Sequence, residues 1–263
     1  MSRNTFRTLS PARRVLWQAR LFALFVLVSF FVPACVKVDN KSEKTDLQKA
    51  KTEASWKSED EFYTVYHLLN GELKLTNVRP LQNDTTISLC IPAAFTQLDD
   101  GSIDGLFIVD GDVKKRKVNT HLGGGMLIGK NSVSILKTDD SKLLDSVWIA
   151  KVQNDKGSFF QQIQLVRDGQ ALEFKKDQKL FQRRAIIIYP DNSLAMVESK
   201  SPLTLQDFAD DLVKMRVKDA IYTDMGSYDE GWVRDASSNR ITVIGQNRME
   251  TAKQSNWIYF KKK

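Results

Sequence analysis

Asp224 closes the apolar stretch Ala220-Ile221-Tyr222-Thr223 and is followed by Met225-Gly226-Ser227. An apolar strand that ends in Asp, with Gly and Ser close behind, puts a carboxylate beside permissive backbone at a strand's carboxyl edge, where α/β-type folds commonly hold their chemistry. A carboxylate in that place can act as general acid, general base or nucleophile. The other notable pair is Arg183-Arg184, directly before Ala185-Ile186-Ile187-Ile188. Side chains alternate across a strand, so the two guanidinium groups face opposite ways and at most one enters any given cleft. An Arg aimed at a cleft can grip a phosphate or carboxylate through two N–H donors; otherwise both are solvent-facing charges flanking a strand.

Other constellations are poorer. His67 and His121 are the only histidines, neither has a second His or Cys at ligand spacing, and no metal site is expected. Asp99, Asp100 and Asp104 read as a solvated acidic turn, with a carboxylate-bound Ca²⁺ as the alternative. Gly123-Gly124-Gly125 has no following Lys-Ser/Thr or helix, so it differs from a phosphate-binding loop and reads as a flexible turn. Cys90, in the pattern Ile87-Ser88-Leu89-Cys90, reads as a buried small hydrophobe.

The chain has 263 residues and 42% apolar composition, enough to bury one substantial core. Its net charge of +7 would suggest a polyanionic partner, but Arg3, Arg7, Arg13, Arg14 and Arg20 all precede Cys35 and no acidic residue does, which leaves +2 from Cys35 onward. Phosphate-driven binding needs a clustered basic surface, so nucleic acid is set aside as a partner. Lys261-Lys262-Lys263 reads as a solvated tail. In the leader, basic residues give way to an apolar run over residues 21–34, whose 14 residues fall short of the roughly 20 that span a bilayer as a helix. The run ends in Val32-Pro33-Ala34-Cys35, which resembles a lipobox. The expectation is a bacterial lipoprotein signal peptide over residues 1–34, lipidation of Cys35, a membrane tether through that lipid and a place in the cell envelope. The alternatives are an uncleaved membrane anchor, given the long basic n-region, and an ordinary signal peptide with a coincidental Cys. Residues 35–56 read as a polar linker and residues 57–263 as the folded domain.

Short apolar runs rich in β-branched and aromatic residues, punctuated by Gly, Asn and Asp, predict strands near 64–69, 71–78, 86–90, 105–109, 125–128, 133–136, 147–152, 159–166, 185–189, 194–198, 241–244 and 257–260. Asn131-Ser132 and Pro190-Asp191-Asn192-Ser193 read as hairpin turns. Leu205, Phe208, Ala209 and Leu212 recur at helical spacing behind Thr204, with Asp207 three residues after it, which predicts a capped helix over 204–215. A second helix is placed at 140–144. The class expected is α+β: a mixed, mostly β-sheet domain with few helices.

The order Phe181-Gln182-Arg183-Arg184-Ala185-Ile186-Ile187-Ile188, Asp191-Asn192-Ser193-Leu194-Ala195-Met196-Val197, Leu203-Thr204-Leu205-Gln206-Asp207-Phe208-Ala209-Asp210 and Val217-Lys218-Asp219-Ala220-Ile221-Tyr222-Thr223-Asp224-Met225-Gly226-Ser227 resembles the phosphodiester glycosidase family. Ile91-Pro92-Ala93-Ala94-Phe95-Thr96 looks like that family's Asn-Gly-Gly-Phe-Phe element, and Leu165-Val166-Arg167-Asp168-Gly169 like its "LV-DG" element. The resemblance covers roughly residues 85–250. It also has departures. Pro92 stands for Asn, Ala93 and Ala94 for two Gly, Arg184 for Thr, and Met225 interrupts an Asp-Gly-Gly run. Arg183, Asp224, Gly226 and Ser227 are retained.

This resemblance implies a hydrolase acting on a phosphorylated glycan or sugar phosphodiester, of the kind found in exopolysaccharide-related proteins. On that reading Arg183 grips the phosphate, and Asp224 is the acid, base or nucleophile. A second carboxylate would come from Asp229, Glu230 or Asp104. Gly226, Ser227, Phe95, Tyr222 and Trp232 would line the substrate site, the aromatics offering a face for a sugar ring. The cofactor is left unknown. The other class of function is a non-catalytic glycan-binding or structural envelope lipoprotein that kept the fold and lost part of the site.

Overall fold

The computed structural model describes residues 55–138, 142–174, 179–226, 229–246 and 251–263. The leader, Cys35, most of the linker and Ser227 lie outside the described residues. In chain order the strands are β1 (Ser55–Glu59), β2 (Tyr63–Leu68), β3 (Gly71–Thr76), β4 (Ile87–Pro92), β5 (Phe107–Val109), β6 (Asp112–Lys115), β7 (Gly124–Ile128) and β8 (Val133–Lys137). Helix α1 (Ser146–Asn154) precedes β9 (Ser158–Gln162), β10 (Gln164–Arg167), β11 (Gln170–Ala171), β12 (Arg184–Ile188) and β13 (Leu194–Ser199). Helix α2 (Leu205–Lys214) leads into β14 (Asp219–Tyr222), β15 (Gly231–Arg234), β16 (Ile241–Ile244) and β17 (Trp257–Lys262). Of the described residues 43% are in strands and 13% in helices, a mostly β composition.

The strands form three antiparallel sheets. The first runs β1-β2-β13-β12-β14-β10-β11, the second β16-β15-β4-β17-β3, and the third β6-β5-β9-β7-β8. Central position explains the composition of β12, whose five residues are all buried between β13 and β14. On one face Ile186 joins Met196, Ile221, Leu89, Ile258 and Phe160 in a core shared by all three sheets. On the other, Ala185 and Ile187 pack with Phe208, Ala209 and Leu212 of α2. A strand covered on both faces reads as a continuous apolar run, which is what Ala185 to Ile188 shows.

Helix α2 forms as its pattern predicts. Thr204 is the N-cap: its Oγ1 accepts from the Asp207 N–H at 3.0 Å and donates to Asp207 Oδ2 at 2.7 Å. The turn between β12 and β13 is also as expected, with the Tyr189 N–H on Ser193 O at 3.0 Å, the Ser193 N–H on Asp191 Oδ1 at 2.9 Å, and Asn192 at φ 64°. Asn tolerates that left-handed conformation better than most residues.

Four local expectations are corrected. Residues 147–152 belong to α1 and are not a strand. Asp145 caps the helix by accepting from the Trp148 N–H at 2.8 Å, Ile149 and Val152 are buried, and Val147 is exposed. A short apolar run looks alike in a strand and in a half-buried helix, and here the Asp cap decides. The helix expected at 140–144 is a 3-10 turn, Lys142–Leu144, the two residues before it lying outside the described residues. Gly124 and Gly125 are not a flexible turn; they begin β7 and pair with Gln162 and Gln161 of β9. A Cβ on Gly124 would stand 2.6 Å from Gln164 Cβ, and one on Gly125 would enter the Phe159 ring, so close packing, not flexibility, selects glycine there. Lys261 and Lys262 are in β17, opposite Glu72 and Gly71 of β3.

Candidate active site

β12 and β14 pair as far as Ala185 opposite Tyr222, and the Thr223 N–H still reaches Arg184 O at 3.1 Å. Asp224 is thus the residue at which the chain leaves the first sheet. It goes directly to the second. The Asp224 N–H donates to Ala93 O at 3.1 Å, and the Thr96 N–H donates to Asp224 Oδ2 at 3.0 Å. Ala93 to Thr96 is the continuation of β4, and Gln162, at the end of β9, donates from Nε2 to the same Ala93 O at 3.4 Å. All three sheets meet at this carbonyl. The two segments that the sequence resemblance singled out, one around Phe95 and one around Asp224, are therefore brought together.

Asp224 is 4% exposed. Burial pushes its carboxyl from the ordinary 3.8 up to about 7, against the Thr96 and Gly226 N–H groups, which favour the charged form. The charge of Asp229 raises it further and that of Arg184 lowers it. A buried acid that titrates near neutrality can both give and take a proton at ordinary pH. Gly226 is exposed, so the segment surfaces immediately beyond the buried acid.

Of the three carboxylates considered as its partner, the structure brings Asp229 close. Asp229 is buried; its Oδ2 accepts from the Gln246 N–H at 2.8 Å, and its main-chain carbonyl accepts from Arg184 Nη1 at 3.0 Å. Glu230 instead pairs with Arg79. The Asp104 carboxylate accepts from Asn119 Nδ2, at 2.9 and 3.0 Å, while its main-chain N–H donates to Phe95 O at 2.8 Å.

The two arginines face opposite ways, as alternation requires. Arg184 is fully buried and pairs with Glu198, Nε to Oε2 being 2.6 Å. Arg183 lies on the α2 side and is 4% exposed. Its Nε donates to Leu203 O at 3.0 Å, Nη2 to Lys179 O at 2.7 Å, and Nη1 to the Tyr222 hydroxyl at 3.3 Å. The guanidinium also stacks between Phe181 and Tyr222, at 5.4 and 5.7 Å from the ring centroids. Burial pushes the Tyr222 phenol up while Arg183 restrains it. Tyr222 in turn packs against the half-buried Phe95 at 6.1 Å. Arg183, Tyr222, Phe95 and Asp224 thus share one neighbourhood. Trp232 does not join it; it is buried in a separate cluster with Ile87, Cys90 and Trp257. Met225, which interrupts the glycine run, is buried and packs in the cluster of Tyr222 and Phe208.

Sequence reasoning overlooked Gln162, Asn256 and the role of Arg184. A lone buried amide has no periodic signal, and Asn256 reads as an ordinary polar residue before a strand. Cys90 is a buried free thiol, its pKa pushed up to about 12 by burial, as a small core hydrophobe should be. Among the described residues no cluster of three His, Cys, Asp or Glu could hold a metal ion.

No protein-family model matches the sequence, and no match is found among curated proteins. Solved structures do match. The fold is similar to that of the catalytic domain of zebrafish N-acetylglucosamine-1-phosphodiester alpha-N-acetylglucosaminidase, in a form auto-inhibited by its pro-peptide, with a TM-score of 0.53 and 12% identity over 80% of this chain and 81% of that one. It is also similar to a hypothetical protein from Synechocystis, with a TM-score of 0.51 and 11% identity over 79% of this chain and 61% of that one. At these identities the likeness is one of fold.

Proposed function

We propose that the domain hydrolyses glycosyl-1-phosphodiester bonds in envelope or extracellular glycans, with Asp224 as the reacting carboxylate and Asp229 as its partner. The observation that carries this reading is the placement of Asp224: buried, titrating near neutrality, held by the Thr96 N–H, and set where three sheets of a glycosidase-like fold converge. In the reaction, water attacks the anomeric carbon as the bond to the phosphate oxygen breaks, and Asp224 in its charged form accepts the water proton. A phosphate leaving group is a weak base and departs without being protonated, so Asp224 is the one proton acceptor, and Asp229 acts on it through its charge, which raises the Asp224 pKa. The fixed charge of Arg183, behind Tyr222, favours the anionic substrate. The half-buried Phe95, packed 6.1 Å from the buried Tyr222 ring, would offer the face for a sugar ring.

A second reading has its own support. Arg183 is tied to two main-chain carbonyls and Asp224 is almost fully covered, as in a glycan-binding protein whose site has become structural. Assay of the purified domain against a panel of sugar-1-phosphodiesters separates the two. We expect release of free sugar that falls by about 10² to 10⁴-fold in Arg183→Ala. Binding of the same panel by calorimetry, with no turnover by the unmodified domain, would establish the second reading instead.

We further propose that acylated Cys35 tethers the domain to a membrane in the cell envelope, on the strength of the leader pattern. The full chain should partition into the detergent phase after expression in a lipoprotein-processing bacterium, and Cys35→Ser should move it to the aqueous phase. Equal partitioning of both would refute the tether.

A further inference from the structure

Resting on the reading of Asp224 as the functional carboxylate, we infer that Asn256 is a positioning residue for it, acting through the main chain of Thr96. Asn256 immediately precedes β17, which pairs with β4 so that Trp257 lies opposite Pro92. The next residues of the two chains no longer exchange ladder bonds. The side chain of Asn256 replaces those bonds. Its Oδ1 accepts from the Ala94 N–H at 2.7 Å, and its Nδ2 donates to Ala94 O at 3.0 Å and to Thr96 Oγ1 at 3.3 Å. Only one orientation of the amide satisfies both the Ala94 donor and the Ala94 acceptor, so the oxygen and nitrogen are assigned without ambiguity.

A side chain standing in for a strand frees the β4 chain from the sheet while its buried polar groups stay paired. The chain can then turn toward β14, where Ala93 O receives the Asp224 N–H and Thr96 presents its own N–H to Asp224 Oδ2. Neighbouring residues brace the clamp: Gln254 Nε2 donates to Asn256 O at 2.8 Å, and Ser255 Oγ lies 3.2 Å from Thr96 Oγ1. Asn256 is itself wholly buried, so the amide is fixed by its surroundings. Nothing in catalysis by Asp224 requires Asn256 to touch substrate. Its contribution is to keep one N–H donor aimed at the carboxylate, which favours the charged form and sets where the acid titrates.

The other charged and titratable groups acting there are Asp229, which opposes ionisation, Arg184, which assists it, and Tyr222 with Arg183 against its ring. The Asn256 amide bonds Ala94 and Thr96 instead, so a change at Asn256 acts on Asp224 through Thr96. The test is carboxyl-carbon NMR of Asp224 across pH in the unmodified domain, in Asn256→Ala and in Ser193→Ala, a change in the β12–β13 turn at the far end of β12, with Asn256→Ser as the replacement should the Asn256→Ala variant not fold. We expect the Asp224 midpoint to rise by about one pH unit in the Asn256 variant, through loss of the aimed donor, and to stay in place in Ser193→Ala. A residue that only holds the strands together would lower Tm and leave the midpoint unmoved; that outcome overturns the inference. The readout does not depend on turnover. A raised midpoint in a domain that cleaves no sugar phosphodiester would uphold the role of Asn256 and refute the hydrolase.

Discussion

Asp224→Asn is expected to abolish sugar release, by about 10³-fold or more, while making the domain relatively more stable at pH 8. The sign follows from the direction of its pKa. In the unfolded chain the carboxyl titrates near 3.8, and in the folded domain burial raises it to about 7. Between those values the folded state holds a proton that the unfolded state has lost, so stability falls as pH rises from about 4 to 7 and is level above. Each unit corresponds to about 1.4 kcal/mol, so the window spans on the order of 4 kcal/mol, an upper figure because the charge of Asp229 supplies part of the shift. Asn cannot ionise, and it keeps an oxygen for the Thr96 N–H. The difference in unfolding free energy between variant and unmodified domain, measured in urea, should therefore grow in favour of the variant by several kcal/mol from pH 4 to pH 8. Parallel stability curves would show that Asp224 does not hold its proton into the neutral range. Such a gain in stability with loss of activity is the usual mark of a group kept for chemistry at a cost to the fold.

Replacing Arg184 with Leu should cost about 3–5 kcal/mol of stability, which is enough to unfold many domains of this size. Arg184 has no exposed surface, and its guanidinium serves both Glu198 and the carbonyl of Asp229. Without it the Glu198 carboxylate stays buried, with Gln182 Nε2 at 3.2 Å as its remaining hydrogen-bond donor among the described residues. An uncompensated buried charge is far more costly than the pair was favourable, so the double variant Arg184→Leu with Glu198→Leu should recover most of the loss. Turnover is expected to behave differently. The bond that anchors Asp229 is missing in both variants, so activity should stay depressed even where Tm returns. Recovery of both would mean that Arg184 holds the fold and has no part in placing Asp229.

Local pattern carried a large share of this architecture. Thr204, Asp207 and the spacing of Phe208 and Leu212 specify α2 within one segment, because a cap and an apolar stripe are short-range properties. Asp191, Asn192 and Ser193 specify their turn for the same reason. The opposed directions of Arg183 and Arg184 follow from the period of a strand and needed no structure. What the local pattern could not supply was the choice between helix and strand at Val147 to Val152, where one Asp cap outweighed the composition. It also could not supply β15 or β11, short pieces that owe their conformation to the strands beside them.

The candidate site divides in the same way. The sequence by itself determined that Asp224 follows a buried strand, that Arg183 and Arg184 face opposite ways at the start of another, and that Cys90 belongs to the core. Tertiary structure alone decided that Thr96 would serve Asp224 across 128 positions of chain, that Asn256 would clamp Ala94 across 162, and that Asp229 rather than Glu230 or Asp104 would be its neighbour. The reason is physical. Periodicity and capping reach only a few residues, whereas these contacts exist because β4 pairs with β17 in one sheet, β12 with β14 in another, and the two sheets meet where both strands end.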